Sequence, residues 1–251
     1  MQGALETNRL PFVGCKTLCG ALSTDKASAK MLVEAMGVPT LPWVLYVGGR
    51  DNAASGGRVA FSNREAIRLA SELGFPVFVK PSGLGSSIGA GVARDEDELY
   101  ERISEAEREG DGRVIIEPYL SVRRELECAF VETPSGVVIT PAGEADCGKD
   151  FYDFREKYES DTVRLYSIGR VSFDIQNKLM EYTRSVGALL GLRHIGRVDF
   201  FLSGGNIYFN EVNPIPGLTA SSLYLKMLAS AGIDSKSFLS YVDRWLEEDR
   251  V

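Results

Sequence analysis

Hydrophobic and polar positions alternate along the chain in two textures, and the change falls near its middle. A helical pattern opens at Thr24-Asp25-Lys26, takes its apolar face from Met31, Leu32, Val33 and Met36, and closes at Gly37. The proline-bounded PTLPWVLYV predicts an extended run, Arg64 to Leu73 a helix stopped by Gly74, and PVFVK a buried strand. A glycine-serine loop, PSGLGSSIGAGV, leads into a further strand; EDELYERISEAERE predicts an amphipathic, highly charged helix, and RVIIEPYL a strand stopped at Pro118. From Arg124 on, ELECAFVE and GVVITPAG alternate as antiparallel strands do. GKDFYDFREKYESDT is polar, aromatic and long for a loop. A helix over about Ser172 to Leu190 precedes a hairpin, RVDFFL and NIYFNEV, around Ser203-Gly204-Gly205. Helices over about Ala220 to Ala231 and Ser235 to Glu248 end the chain. The predicted class is α+β, in two lobes joined near Pro118 to Leu120.

Composition narrows the function classes. The 251 residues carry a formal net charge of −7 with no basic block, which argues against a nucleic-acid partner. No apolar run approaches the roughly 20 residues of a membrane span, and MQGALETNRL lacks the basic start and apolar core of a signal peptide, so a cytoplasmic location is expected. Cys15 and Cys19 have zinc-ligand spacing, but Cys128 and Cys147 form no second pair of that kind and His194 is the single histidine. Reduced thiols are the expectation, and with no histidine base beside Ser86-Ser87 nucleophilic triad chemistry is disfavoured.

The chemistry-bearing residues gather at strand ends. Glu211 and Asn213 are two apart on a strand and share a face. A three-residue turn, Gly204-Gly205-Asn206, would set Asp199 opposite Glu211, giving two carboxylates and an amide oxygen, the hard oxygen set that Mg²⁺ takes when phosphates and water complete its shell. Arg197 faces the same way and could balance phosphate charge; a solvent-facing polar strand side is the alternative. PIPGLT then leaves regular structure, and Thr219 to Ser222 open a helix whose N-terminus favours an anion. Lys80 ends a strand directly before Gly83, Gly85, Ser86, Ser87 and Gly89, small residues that let backbone N–H groups approach a polyphosphate. This is neither a Walker nor a Rossmann loop, and a flexible turn is the competing reading. Lys26, in the first turn of a helix, reads on its own as solvated, and Arg123-Arg124 as a solvated turn. Glu117 stands beside the Pro118 hinge, whose free carbonyls could meet an adenine edge; Glu125 and Glu127 face one side, for a ribose hydroxyl or a structural salt bridge. Lys157 and Tyr158 sit in the polar loop, as a closing cation or as ordinary surface residues.

The order of these segments is more specific than any one of them. TDKASAK, VFVKPSGLGSSIGAG, VIIEPYL, FYDFREKY, GRVDFF and NEVNPIPGLT follow one another as in the D-alanine–D-alanine ligases. From about Leu10 onward the sequence closely resembles that ATP-grasp family. The resemblance implies two α/β lobes with nucleotide between them: residues 1–14 as a remnant of an N-terminal substrate domain, 15–120 as the central lobe and 121–251 as the catalytic lobe. It implies ATP phosphates on Lys26, Lys80, Ser86 and Ser87, with Lys157 and Tyr158 on the loop that closes over them. Adenine would lie at Glu117 and the backbone of Pro118, Tyr119 and Leu120, and ribose at Glu125. Asp199, Glu211 and Asn213 would hold two Mg²⁺, with Mn²⁺ as a substitute. Arg197 would stabilise the transferring phosphoryl group, Gly217 would meet the intermediate, and Tyr158, Ser222 and Leu223 would lie at the second substrate. The implied activity is ligation of two D-alanines with ATP for peptidoglycan synthesis, with D-serine as an alternative second substrate. Pro214 stands where the family usually has Thr and Ser221 where it often has His. The resemblance also implies a further N-terminal lobe with a glutamate for the first D-alanine, at the very end of which this sequence is expected to start. The expectations are therefore an active ligase or an ATP–Mg-binding protein that is inactive or takes another carboxylate and amine, a sticky exposed face, and an open question of homodimerisation.

Overall fold

A computed structural model of the chain describes residues 1–49, 57–121, 123–146, 164–219 and 221–249. Three helices come first: α1 (Gln2–Thr7), α2 (Thr17–Thr24) and α3 (Lys26–Ala35). The first sheet and its helices follow as β1 (Val44–Val47), β2 (Val59–Ala60), α4 (Asn63–Leu73), β3 (Val77–Pro81), β4 (Gly91–Ala93), α5 (Glu96–Glu109) and β5 (Arg113–Pro118). The second part comprises β6 (Arg124–Thr133), β7 (Gly136–Ile139), β8 (Gly143–Asp146), β9 (Arg164–Tyr166), α6 (Phe173–Leu190), β10 (Ile195–Ser203), β11 (Asn206–Asn213), α7 (Leu223–Ser230) and α8 (Ser235–Glu248). The α+β expectation holds, in two sheet-based lobes.

The first sheet has the order β2-β1-β5-β3-β4, with β1 and β2 parallel and the other neighbours antiparallel. Its two faces differ in a way the alternation of β3 and β5 dictates. Val77, Val79, Val114 and Ile116 turn to one side, where Ala66 and Ala70 of α4 and Leu99, Ile103 and Ala106 of α5 cover them. Both helices start on a side-chain cap with an acid three residues on: Ser62 accepts from the Glu65 N–H and Asp95 from the Glu98 N–H. Phe78, Lys80, Ile115 and Glu117 are on the other side, toward the second lobe.

The second sheet is antiparallel throughout, β11-β10-β6-β8-β9 with β7 also on β6. Leu126, Cys128 and Phe130 face a core shared with Leu179, Val186 and Leu190 of α6. The same core takes Cys19 of α2 and Ala29 and Val33 of α3, so these two helices, which precede the first sheet in the chain, pack on the second. On the opposite face Ala129, Val131 and Ile195 lie under Tyr224 and Met227 of α7 and Phe238 and Trp245 of α8. Tyr224 is fully buried and its hydroxyl donates to the Phe130 carbonyl at 2.9 Å. No helix among the described residues is long and apolar enough to cross a membrane.

His194 is a core residue with a pH consequence. It is 1% exposed, accepts from the Gly14 N–H at Nδ1 (3.2 Å) and stacks on Trp245 with ring centroids 4.8 Å apart. Burial, then Arg193, pushes its pKa down to about 4 from an ordinary 6.5. The unfolded chain therefore takes a proton below pH 6.5 that the fold refuses until about 4, and stability falls as pH drops through that window. Urea unfolding of the wild type should lose on the order of 2 kcal/mol between pH 6.5 and 5. His194→Phe should flatten that slope, and an equal slope in the variant would locate the titrating group elsewhere.

Candidate active site

The uncovered half of the second sheet is polar. β10 runs between β6 and β11, and its Asp199 lies opposite Glu127 on one side and Glu211 on the other. At a strand spacing of about 4.8 Å, three carboxylates stand abreast. Arg197, opposite Asn213, shares their face. It grips both oxygens of Asp199 at 2.7 Å, and its Nε lies 3.3 Å from Glu127 Oε2. Burial works against the guanidinium charge, but Asp199 and then Glu127 hold it protonated more firmly than water would. Two strand residues further along, the face becomes Ala129 and Ile195 and passes under the C-terminal helices.

The expected Asp199–Glu211 pairing is present, but the turn expected to produce it is not. Gly204 (φ 56°) and Gly205 (φ 82°) form a two-residue turn with Ser203 paired to Asn206. That turn alone would set Asp199 opposite Asn210. A bulge at Asn210 shifts the register by one, so Phe200 pairs with Phe209 and Asp199 with Glu211. The extra residue is put to use: Asn210 Oδ1 accepts from Lys80 Nζ at 3.1 Å.

The facing wall comes from the first lobe. Ser82, fully buried, receives the start of α3: its carbonyl accepts from the Lys26 N–H (2.9 Å) and its Oγ from the Ala27 N–H (3.0 Å). The loop beyond it is wound left-handed at Ser86 (φ 57°), Ser87 (φ 58°) and Gly89 (φ 66°). Positive φ at two consecutive serines is uncommon, and the loop holds itself with turns from the Ile88 N–H to the Gly85 carbonyl and from the Ala90 N–H to the Ser87 carbonyl, both at 3.2 Å. Lys26 is 8% exposed, where its position alone suggested solvent. Its ammonium donates to the Leu84 carbonyl of this loop and lies 3.4 Å from Glu211 Oε2.

Behind the wall lies a buried ion cluster. Glu117 accepts from Lys80 Nζ at 2.6 Å through Oε1, and Lys30 Nζ is 2.8 Å from its Oε2. Burial alone would raise the carboxyl pKa, but Lys30 and then Lys80 overcome it and hold the group at about 2. Lys30 was not singled out from the sequence. The available signal was its place four residues after Lys26, on the same side of α3.

Lys26, Lys80, Ser86, Ser87, Glu117, Pro118, Tyr119, Leu120, Glu125 and Glu211 thus line one cleft between the lobes, bounded by Phe78 and Phe201. Arg123 belongs to it as well, in place of the solvated turn expected. It donates to the Leu120 carbonyl at 2.7 Å and to Glu125 at 3.2 Å, with its guanidinium 5.5 Å from the Phe201 ring and 5.7 Å from that of Tyr119. Of the two readings of Glu127, the salt bridge is observed, to Arg197. Gly217 and Ser222 meet through the Ser222 hydroxyl and the Gly217 carbonyl, outside the cleft lining. The Leu223 side chain is in the core, so only its backbone is available to a ligand. Lys157, Tyr158 and Cys147 lie outside the described residues. Cys15, Cys19 and Cys128 are buried free thiols, as expected of reduced cysteines.

A family profile described as the D-alanine–D-alanine ligase C-terminus matches residues 32–242. The chain belongs to this family. A D-alanine–D-alanine ligase of Chlorobium luteolum is 36% identical over 249 residues, which are 97% of this chain and 64% of that protein. The chain thus spans less than two thirds of the length of the curated ligases it matches first. Among solved structures, D-alanyl-alanine synthetase A of Vibrio cholerae superposes with a TM-score of 0.83 at 30% identity, over 98% of this chain and 72% of that one. The VanG D-Ala:D-Ser ligase of Enterococcus faecalis gives 0.82 at 29%, over 98% and 68%. The two ligases differ by name in their second amino acid, and the fold is equally similar to both.

Proposed function

We propose that the cleft binds ATP and that the protein ligates two D-alanines at it, with release of ADP and phosphate for peptidoglycan synthesis. The observation that carries this is the row Glu127–Asp199–Glu211, whose Glu211 lines the same cleft as the left-handed serine loop, Lys26 and Lys80. The carboxylate of the first D-alanine takes the γ-phosphoryl of ATP, and the amine of the second displaces phosphate from the acyl phosphate. Lys26 and Lys80 hold phosphate oxygens, the loop N–H groups cradle them, Pro118 to Leu120 with Glu117 hold adenine, and Glu125 holds ribose. Arg197 sits where charge develops on the phosphoryl group. Gly217, Ser222 and the Leu223 N–H lie at the second amino acid, and Lys157 and Tyr158 on the closing loop.

Asp199, Glu211 and Asn213 fit Mg²⁺. Among the described residues no three His, Cys, Asp or Glu side chains form a metal cage, and Mg²⁺ ordinarily takes one or two carboxylates and completes its shell with phosphates and water. Two bound ions would supply charge neutralisation at the phosphates. Mn²⁺ would serve in their place.

The alternatives differ in the second amino acid or in turnover itself, and likeness to a D-Ala:D-Ser ligase keeps D-serine among them. The test is ADP release with Mg²⁺ and D-alanine, with D-alanine plus D-serine, and with neither. D-alanine-dependent release with D-alanyl-D-alanine as product is expected. Mixed dipeptide as main product would reassign the second substrate, and ATP binding without release would leave a nucleotide-binding protein.

A further inference from the structure

Among the described residues, the charged side chains lining the cleft cancel: Lys26, Lys80 and Arg123 stand against Glu117, Glu125 and Glu211. A polyphosphate gains from any further positive charge, and one source of it in the described structure lies behind the wall. Lys30 is 1% exposed, on α3 between the core residues Ala29 and Val33, and cannot touch a ligand. Its ammonium is nonetheless 2.8 Å from Glu117 Oε2, on the carboxylate that already holds Lys80 through Oε1 at 2.6 Å. One lysine would balance the charge of that carboxylate, though it reaches only one of the two oxygens. A second buried ammonium is costly to desolvate: burial, and after it Lys80, push the Lys30 pKa down, against which the ionised Glu117 at 2.8 Å favours its charged form. With Lys30 protonated, Lys30, Glu117 and Lys80 together carry +1, where Lys80 and Glu117 alone carry 0.

We propose that Lys30 is a positioning residue for the nucleotide phosphates: by sharing Glu117 it leaves Lys80 with uncompensated positive charge at the cleft. This rests on the reading of the cleft as the ATP site. The hydrogen bonding agrees. Of the three donors of Lys80, one goes to Glu117 and one to Asn210, which leaves the third for the cleft that Lys80 lines. Glu117 stays ionised throughout the working pH range, held at about 2 by both lysines against the effect of burial, so the negative member of the sum is constant.

The test is calorimetric binding of adenosine and of ATP, without added metal and with Mg²⁺, to four proteins whose cluster charge differs. Lys30→Met carries 0, the wild type +1, the double variant Lys30→Met/Glu117→Gln +1, and Glu117→Gln between +1 and +2, because Lys30 there loses the carboxylate that offsets burial. The ratio of ATP to adenosine affinity removes any effect on the adenine end. It should fall about tenfold or more in Lys30→Met, the Coulomb effect of one charge roughly 10 Å from a phosphate at an effective dielectric near 20. It should return in the double variant and be no lower than the wild type in Glu117→Gln. If Lys30→Met does not fold, the remaining three proteins still form a charge series. ATP binding by the wild type with a ratio indifferent to cluster charge would overturn the role of Lys30 alone. Absence of ATP binding by the wild type would overturn the nucleotide reading, and this inference with it.

Discussion

Replacing Arg197 with methionine should lower turnover by roughly 10²- to 10³-fold, the usual cost of removing one preorganised donor from a site of developing charge. ATP affinity should change far less. Arg197 is the cation of a row that is otherwise acidic, bidentate on Asp199 and 3.3 Å from Glu127. Methionine fills much of the same volume but leaves three neighbouring carboxylates without their guanidinium, so the free protein should also melt lower. Mg²⁺ and ATP together should restore part of that loss, because a ligand that binds only the folded protein stabilises it by mass action. Steady-state ADP release, ATP titration and thermal melts with and without Mg²⁺–ATP would separate the two effects. A turnover loss under tenfold with a full loss of stability would make Arg197 a structural member of the row only.

Glu211→Gln should abolish most Mg²⁺-dependent release, by roughly a hundredfold or more at moderate Mg²⁺, since a bound ion supplies several kcal/mol of charge stabilisation in such reactions. The amide keeps the shape and removes one charge from a strand end that Lys26 already approaches at 3.4 Å. Raised Mg²⁺ should recover part of the rate if Glu211 is a metal ligand. A rate that stays low at every Mg²⁺ concentration, with unaltered ATP affinity, would argue that Glu211 acts only on Lys26. Asp199→Asn is the companion variant, and it differs in a useful way because it also releases Arg197.

Several of the residues in these experiments were legible in the sequence, though not always for the right reason. Asp199 and Glu211 were paired through a supposed three-residue turn, whereas the shorter glycine turn and the bulge at Asn210 reach the same register. Lys80 with its serine-glycine loop, and Glu117 with the hinge after it, were visible as strand ends running into turn residues. Lys26 was not assignable from its own position. A lysine at a helix start is ordinarily solvated, and only the docking of α3 on Ser82 and β11 removes it from water.

Legible in the chain alone were local features: the periodicities of strands and helices, the same-face spacing of Glu211 and Asn213, and the order of motifs that marks the family. Such features depend on neighbours a few residues away, which the chain states directly. The packing of α3 on the second sheet with its first residues seated on the first, the move of Arg123 out of solvent onto two aromatic rings, and the sharing of one buried carboxylate by Lys30 and Lys80 are all long-range outcomes of folding. Lys30 and Glu117 are 87 residues apart in the chain. No pattern of spacing encodes that meeting, because burial and charge pairing are properties of the space between elements, and that space exists only once the two sheets have closed on each other.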